Sequence, residues 1–198
     1  MKRTFTILLL IAACWHNLCA QNTVESIRQR YAAIKDDITE MMKEDGFPPV
    51  YYEVKVVQNL PGTGPHHEIT KMFYDERDDD EIYPSHYLTF ATLKYNFAAR
   101  EYYEEYLFDD DGKIAFIYAR TPEADEDTST MHELRFYFSN GKPFRTIVKK
   151  AMVDSEDFKT EFSGNKTPKA YEDLYSQYIL TSDRIKKLFE ATEASTHL

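Results

Sequence analysis

The first regular pattern of apolar residues in the chain has the period of an α-helix. Between residues 22 and 45, apolar side chains recur at alternating spacings of three and four: Val24, Ile27, Tyr31, Ile34, Ile38 and Met41. Asn22 and Glu25 predict a capping box at the start, and Gly46 with two nearby prolines predicts the end. We expect this long helix to pack its stripe on the protein's own sheet rather than in a coiled coil.

From residue 50 to residue 150 the period changes to two, and β-branched and aromatic residues become frequent. This alternation predicts β-strands that each bury a face in a core. The seven predicted strands are residues 50–58, 68–76, 86–97, 101–108, 113–120, 131–138 and 143–150. Their connections are too short for crossover helices, so we expect an antiparallel meander.

Two sequences between strands predict tight turns. Asp110, Asp111 and Gly112 have the form of a three-residue hairpin loop that ends in a glycine with positive φ. Asn140 and Gly141 predict a two-residue turn, because a three-residue loop there would set two arginines opposite each other. An EF-hand calcium loop would need oxygen ligands at alternate positions and a glutamate at the twelfth, and the stretch around Asp110 and Asp111 lacks both. Its aspartates are therefore expected to turn the chain.

The three-residue loop also predicts which residues of its two strands face each other. Counting outward from Asp109 and Lys113, the expected cross-strand pairs are Phe108 with Ile114, Tyr106 with Phe116, and Glu104 with Tyr118. These pairs would form one mostly apolar face of the sheet.

A second helix is predicted near the end of the chain, where Thr167 and Pro168 provide a start signal. Its apolar side chains keep helical spacing to about residue 190: Tyr171, Leu174, Tyr175, Tyr178, Ile185, Leu188 and Phe189. We expect a break or a new N-cap at Ser182 or Asp183 and a frayed tail. The elements together predict one α+β domain over residues 21–198, with the long N-terminal helix packed on a curved antiparallel meander of about seven strands, by analogy with cystatin-like or NTF2-like folds.

The first twenty residues, MKRTFTILLLIAACWHNLCA, have the layout of a secretory signal peptide. A basic start precedes an apolar run that is too short to span a membrane, and a small residue, Ala20, ends the segment. We therefore expect a secreted or periplasmic protein. In the alternative interpretation, residues 11–14 are a lipobox and Cys14 is acylated, which would make the protein an outer-membrane lipoprotein.

Cleavage after Ala20 would remove both cysteines, Cys14 and Cys19, and the only tryptophan, Trp15. The mature chain would then have no thiol nucleophile, no Cys-ligated metal and no disulfide. The segment holds two of the 24 basic residues and none of the 34 acidic ones, so its loss leaves a net charge of −12. Because this charge repels phosphate backbones, we expect no nucleic-acid partner, whereas a small molecule, a glycan or a protein remains open.

The processed N-terminus provides a direct prediction. A protein cleaved after Ala20 is expected to show tyrosine emission alone, since Trp15 is lost. Acylation of Cys14 would instead keep the tryptophan, block the N-terminus and raise the mass by the acyl chains. Intact mass of the protein from its native source distinguishes the two, and a species that begins at acylated Cys14 would contradict secretion.

The acidic and histidine-rich stretches are the candidates for metal binding. Residues 75–81 hold six carboxylates, which we expect in a solvated loop, with calcium binding as the alternative. His66 and His67 are adjacent on an extended chain and should point to opposite faces. Zinc ligation by one of them with a distant His86 or His132 is therefore not favoured, and we expect no metal and no cofactor.

Carboxylates are the candidates for catalysis, because no nucleophile elbow, HExxH, P-loop or dinucleotide motif is present. Glu104 and Glu105 are adjacent in a predicted strand and should face opposite sides of the sheet. A carboxylate-based glycan hydrolase, with acids drawn from Glu104, Glu105 and Glu133, is the alternative function.

Tyrosine is unusually frequent, with fifteen in the chain. The candidate ligand-binding tyrosines are Tyr51, Tyr52, Tyr102, Tyr103 and Tyr106. A tyrosine offers contact area and a hydroxyl, which suits recognition of sugars or proteins, although strand tyrosines also fill cores. With no catalytic motif beside them, they favour a non-enzymatic binding or interaction domain.

The segment that ends in LCAQ, the striped helix and the hairpins YLFDDDGKIAFIY and LRFYFSNGKPF together resemble small secreted proteins of unassigned function from Bacteroidetes-type Gram-negative bacteria. The resemblance extends over most of the chain. It implies a location in the envelope or outside the cell, and it transfers no catalytic residue.

Overall fold

A computed structural model describes residues 23–43, 50–77, 85–122 and 129–196. Its elements are helix α1 (Val24–Met41), strands β1 (Tyr52–Leu60), β2 (Gly64–Glu76), β3 (His86–Phe97), β4 (Arg100–Phe108), β5 (Ile114–Thr121), β6 (Thr130–Ser139), β7 (Lys142–Met152) and β8 (Lys159–Gly164), a 3₁₀ turn (Lys169–Tyr171) and helix α2 (Glu172–Thr196). The eight strands form one open antiparallel sheet in chain order. The α+β class and the antiparallel meander are confirmed, with one strand more than the predicted seven among these residues.

Alternate side chains of every strand point to opposite sides, so the sheet has two faces that can each bury a core. Helix α1 covers one face and helix α2 covers the other. The core under α1 includes Ile27, Phe73, Phe90, Leu107, Phe116 and Tyr137. The core under α2 includes Met72, Tyr106, Ile117, Phe136, Tyr178 and Phe189. The predicted stripe of α1 does face the sheet, with Ile27 buried and the other five residues half-buried.

Helix α1 begins with a capping box, but its residues are not the predicted Asn22 and Glu25. The Thr23 side chain accepts a hydrogen bond from the Ser26 N–H (3.1 Å), and the Ser26 hydroxyl oxygen accepts one from the Thr23 N–H (2.9 Å). Serine at the third helical position therefore replaces the usual glutamate. The predicted stop at Gly46 lies outside the described residues.

Both predicted hairpin turns are present. The Asp109 N–H donates to the Lys113 carbonyl (2.8 Å), and Gly112 closes the three-residue loop with φ +70°. Asn140 and Gly141 have φ values of +52° and +72°, as a two-residue type I′ turn requires. Each backbone conformation favours the residue found there, since glycine and asparagine tolerate positive φ best.

The register beyond the first turn differs from the prediction. Phe108 faces Ile114 as expected, but Ala115 is then an extra residue in β5. The observed pairs that follow are Leu107 with Phe116, Tyr106 with Ile117, Glu105 with Tyr118 and Glu104 with Ala119. The predicted pairs of Tyr106 with Phe116 and of Glu104 with Tyr118 are wrong, because this β-bulge shifts the partners by one residue.

The C-terminal part differs from the prediction in two ways. Strand β8 lies in a polar stretch whose only large apolar strand residue is Phe162, so alternation gave little sign of it. Helix α2 has no break at Ser182 or Asp183; Ser182 lies on the buried face of the helix, and its hydroxyl donates to the Ile179 carbonyl (2.8 Å). The helix also continues to Thr196, through most of the expected frayed tail. Among the residues described, neither helix is both long and apolar enough to cross a membrane.

Candidate functional site

A cleft of about 440 Å³ lies between helix α1 and strands β4, β5 and β6, and we name it the α1 cleft. Its volume falls in the range of small-molecule sites. Four tyrosines line it: Tyr31, Tyr103, Tyr118 and Tyr137. Three cations and a carboxylate also line it: Arg28, Lys35, Arg135 and Glu105. Ile27 and Phe116 provide its apolar surface.

Glu105 is buried in the wall of the α1 cleft and is only 2% exposed. The Lys35 ammonium lies 2.6 Å from Oε1, and the Tyr103 hydroxyl donates to the same oxygen at 2.6 Å. The Tyr31 hydroxyl donates to Oε2. Both carboxylate oxygens are therefore hydrogen-bonded and one cation balances the charge, as a buried carboxylate requires.

Local structure explains why these groups meet. Tyr31 and Lys35 are four residues apart, so they share one face of α1. Tyr103 and Glu105 are two residues apart in β4, so both point to the α1 side of the sheet. The bulge in β5 then places Tyr118, rather than an apolar residue, directly opposite Glu105.

A second ion pair lies on the β6 side of the cleft. Glu133 accepts a hydrogen bond from the Tyr118 hydroxyl (2.9 Å) and one from Arg135 Nη2 (2.9 Å). The Arg135 guanidinium lies 5.7 Å from the centre of the Tyr118 ring. Arg28 makes a similar contact with Tyr137, with 5.9 Å to the ring centre and 3.4 Å from Nε to the hydroxyl. Two tyrosine rings therefore each carry a guanidinium.

Three tyrosine hydroxyls of the cleft, those of Tyr31, Tyr103 and Tyr118, have a raised pKa. Burial, followed by the charge of Glu105, raises the pKa of Tyr31 and of Tyr103 above the ordinary value of 10.0. Burial and the charge of Glu133 raise the pKa of Tyr118 in the same way. These three hydroxyls are therefore protonated near neutral pH and act as hydrogen-bond donors to the carboxylates.

The structure separates the carboxylates considered for hydrolysis. Glu104 and Glu105 face opposite sides of the sheet, as adjacent strand residues must. Glu104 lines a cavity under α2, whereas Glu105 lines the α1 cleft. Glu133 lies on the side of Glu105, where it is bonded to Tyr118 and Arg135.

The five candidate tyrosines are distributed over both faces. Tyr103 lines the α1 cleft, and Tyr51 packs on Phe73 on the same side of the sheet. The other three, Tyr52, Tyr102 and Tyr106, lie on the α2 side. Sequence reasoning missed Tyr31, Tyr118 and Tyr137 as lining residues. The helical stripe contained Tyr31, but only the bulge and the helix docking bring it beside the other two.

The histidines considered for zinc make separate contacts. His66 Nδ1 lies 2.6 Å from the Asn96 carbonyl oxygen, and His86 Nδ1 lies 2.7 Å from Glu193 Oε1. His132 is fully buried. Within the described ranges, no group of three or more His, Cys, Asp or Glu side chains is placed to hold a metal ion. Most of the acidic loop at residues 75–81 lies outside those ranges.

The fold and the cleft define an α+β domain in which one open antiparallel sheet separates two helices and the first helix roofs a polar, tyrosine-lined pocket. No protein-family model, curated protein or solved structure matches the chain. The chemistry of the pocket must therefore be inferred from its own side chains.

Proposed function

We propose that the protein is a non-enzymatic binding domain whose α1 cleft holds a small ligand with an anionic group and a flat body. The observation that carries this proposal is the pairing of guanidinium groups with tyrosine rings around a pocket of ligand size. The signal-like first twenty residues support a secreted or periplasmic setting for this binding.

The anionic group is inferred from the charges of the cleft. The Lys35 ammonium is engaged by Glu105, so Arg28 and Arg135 are the cations available to a ligand. Arg135 contacts Glu133 through one of its five N–H donors, and Arg28 is exposed at the cleft. A guanidinium fork matches a carboxylate, sulfate or phosphate group, so the local charge favours an anion although the whole chain is acidic.

The flat body is inferred from the aromatic surface. The half-buried rings of Tyr31, Tyr103 and Tyr118 line the cleft and offer aromatic surface to a planar or ring-shaped partner. Phe116 and Ile27 exclude water from one part of the cleft, while the tyrosine hydroxyls hydrogen-bond in another. Aromatic carboxylates and sugar acids combine these features, and both fit a pocket of this size.

Binding should depend on the two arginines. Arg28→Met and Arg135→Met are each expected to raise the Kd for an anionic probe about tenfold or more, since a hydrogen bond to a charged group contributes about 1.5–3 kcal/mol. Benzoate and glucuronate serve as probes, with benzamide and glucose as neutral counterparts, in a titration followed by NMR. The matched control is Arg30→Met, because Arg30 lies on the same helix but pairs with Asp110. Equal binding of neutral and anionic probes would contradict the proposal.

The non-enzymatic part of the proposal predicts no turnover across a panel of glycan and peptide substrates. Glu105 is held by three partners, which suits a structural carboxylate better than a nucleophile. Robust hydrolysis that Glu104→Gln or Glu105→Gln abolishes would favour the glycan hydrolase instead.

A further inference from the structure

A second cavity, of about 330 Å³, lies between helix α2 and strands β2 to β4, and we name it the α2 cavity. Its polar lining consists of His66, Glu68, Tyr95, Glu104, Thr181 and Arg184. We propose that the α2 cavity binds a small organic cation that carries an ammonium group. The sheet separates this site from the α1 cleft, so each can be tested without the other.

Hydrogen-bond acceptors face each other at one end of the α2 cavity. The Asn96 carbonyl oxygen can only accept, so His66 Nδ1, 2.6 Å away, carries the ring proton. In the neutral ring, Nε2 then presents a lone pair, and it lies 3.9 Å from Glu68 Oε2. Two acceptors in this arrangement favour a donor that bonds to both, and an ammonium group has three N–H donors.

Glu104 adds a buried carboxyl group to the same cavity. Its side chain accepts hydrogen bonds from Tyr95 to Oε1 (3.2 Å) and from Tyr106 to Oε2. A carboxylate has about four lone-pair sites, so these two bonds leave acceptor capacity on both oxygens. The ring of Tyr95, stacked on Tyr102 at 4.7 Å between centres, provides an aromatic wall that also attracts a cation.

The charge balance of the α2 cavity favours a positive ligand. Glu68 and Glu104 are opposed by one lining cation, Arg184, whose Nη2 lies 3.2 Å from Glu68 Oε1. The Arg184 side chain is 55% exposed and its charge is therefore partly screened by water. With both carboxylates ionised and the His66 ring neutral, the lining carries a net charge of −1, which one ammonium group neutralises.

Binding should be coupled to the protonation of Glu104. The groups that face it are Glu68 and His66 from β2, Tyr95 from β3, Tyr102 and Tyr106 from β4, and Tyr178 and Arg184 from α2. Burial raises the pKa of Glu104 to about 7, opposed by the hydrogen bonds from Tyr106 and Tyr95 and by the charge of Arg184. Part of Glu104 is therefore protonated near neutral pH. An ammonium ligand favours the ionised form and displaces that proton, so affinity should rise with pH through this pKa.

The test is a titration of the processed full-length protein with ethylammonium chloride at pH 5 and pH 8, at matched ionic strength, followed by NMR. We expect the apparent Kd to be higher at pH 5 by up to about 100-fold, since each pH unit below the pKa lowers the ionised fraction about tenfold. Ethanol, a neutral molecule of the same size, should not bind. Glucosamine carries the ammonium group on a sugar, and Nα-acetyl-lysine amide carries it on a peptide-like molecule. The one that binds more tightly indicates whether the ligand is an amino sugar or a lysine side chain.

Variants assign the effect to the cavity. Glu68→Gln is expected to weaken ethylammonium binding about tenfold at pH 8, and Glu104→Gln should remove most of the pH dependence. His66→Asn replaces the imidazole with an amide, and the pH dependence due to Glu104 should remain. The control Glu101→Gln, at the exposed end of β4, should bind as the wild type does.

Absence of saturable binding by the wild type at pH 8, an equal response to ethanol, or an unchanged pH dependence in Glu104→Gln would overturn the proposal. Failure of any variant to fold leaves the wild-type result decisive.

Discussion

Replacement of Glu105 by alanine is expected to lower the free energy of unfolding by about 3 kcal/mol. The change leaves the Tyr103 and Tyr31 hydroxyls without their acceptor and removes the partner of Lys35. Breaking a buried ion pair costs about 3–5 kcal/mol, and the lower end applies because the Lys35 side chain is 38% exposed and keeps contact with water. Urea unfolding of the two proteins measures the difference.

Two further variants test the cause of this loss. Glu101→Ala changes the same residue type in the same strand, but its side chain is 73% exposed, so we expect a change within about 0.5 kcal/mol. Glu105→Gln keeps the volume of the side chain and one acceptor oxygen. Its decrease in the free energy of unfolding should therefore lie between those of Glu101→Ala and Glu105→Ala. If Glu105→Ala costs less than about 1 kcal/mol, the contacts of the carboxylate with Tyr31, Lys35 and Tyr103 do not stabilise the fold.

Stability should fall as the pH rises from about 4.5 to above 7, through the contribution of Glu104. Burial raises the pKa of this carboxyl from 4.5 to about 7, so the folded state binds a proton over a range in which the unfolded state has lost it. The stabilising contribution is therefore fully present below pH 4.5 and is lost as the pH passes the folded-state pKa. A shift of this size corresponds to about 3 kcal/mol between the two limits.

Comparison with Glu104→Gln isolates this contribution from the other titrating groups. The free energy of unfolding of wild type and variant should differ by about 3 kcal/mol more at pH 8 than at pH 4.5, in the direction that favours the variant at high pH. The amide keeps the size of the side chain but does not ionise. Parallel pH profiles for the two proteins would show that Glu104 is not held in its protonated form by the fold.

Several features of the fold could be predicted because they depend on neighbours in sequence. Alternation of apolar and polar residues predicted the strands, since the side-chain period of a strand is two. The residues of the two turns predicted the hairpins, because Gly112, Asn140 and Gly141 adopt positive φ with little strain. The opposite orientation of Glu104 and Glu105 followed from their adjacency alone.

Features that depend on distant contacts were missed or predicted incorrectly. Strand β8 is mostly polar, so the sequence shows no alternation of apolar and polar residues there. The strand forms because it pairs with β7. The predicted break in α2 rested on Ser182, but Ser182 lies on the buried face of the helix with Tyr178 and Ile185, so packing keeps the helix continuous. The first hairpin register failed because one extra residue, Ala115, shifts all later pairs.

The sequence by itself determined the two helices, seven of the eight described strands and their antiparallel order. Only the tertiary structure decided that α1 and α2 lie on opposite faces, and that the bulge in β5 places Tyr118 beside Glu105. The α1 cleft depends on these decisions, since Tyr31 and Glu105 are 74 residues apart in the chain. A pocket forms from the packing of distant segments, whereas periodicity and turn chemistry report only on neighbours, and for this reason the strands could be predicted and the cleft could not.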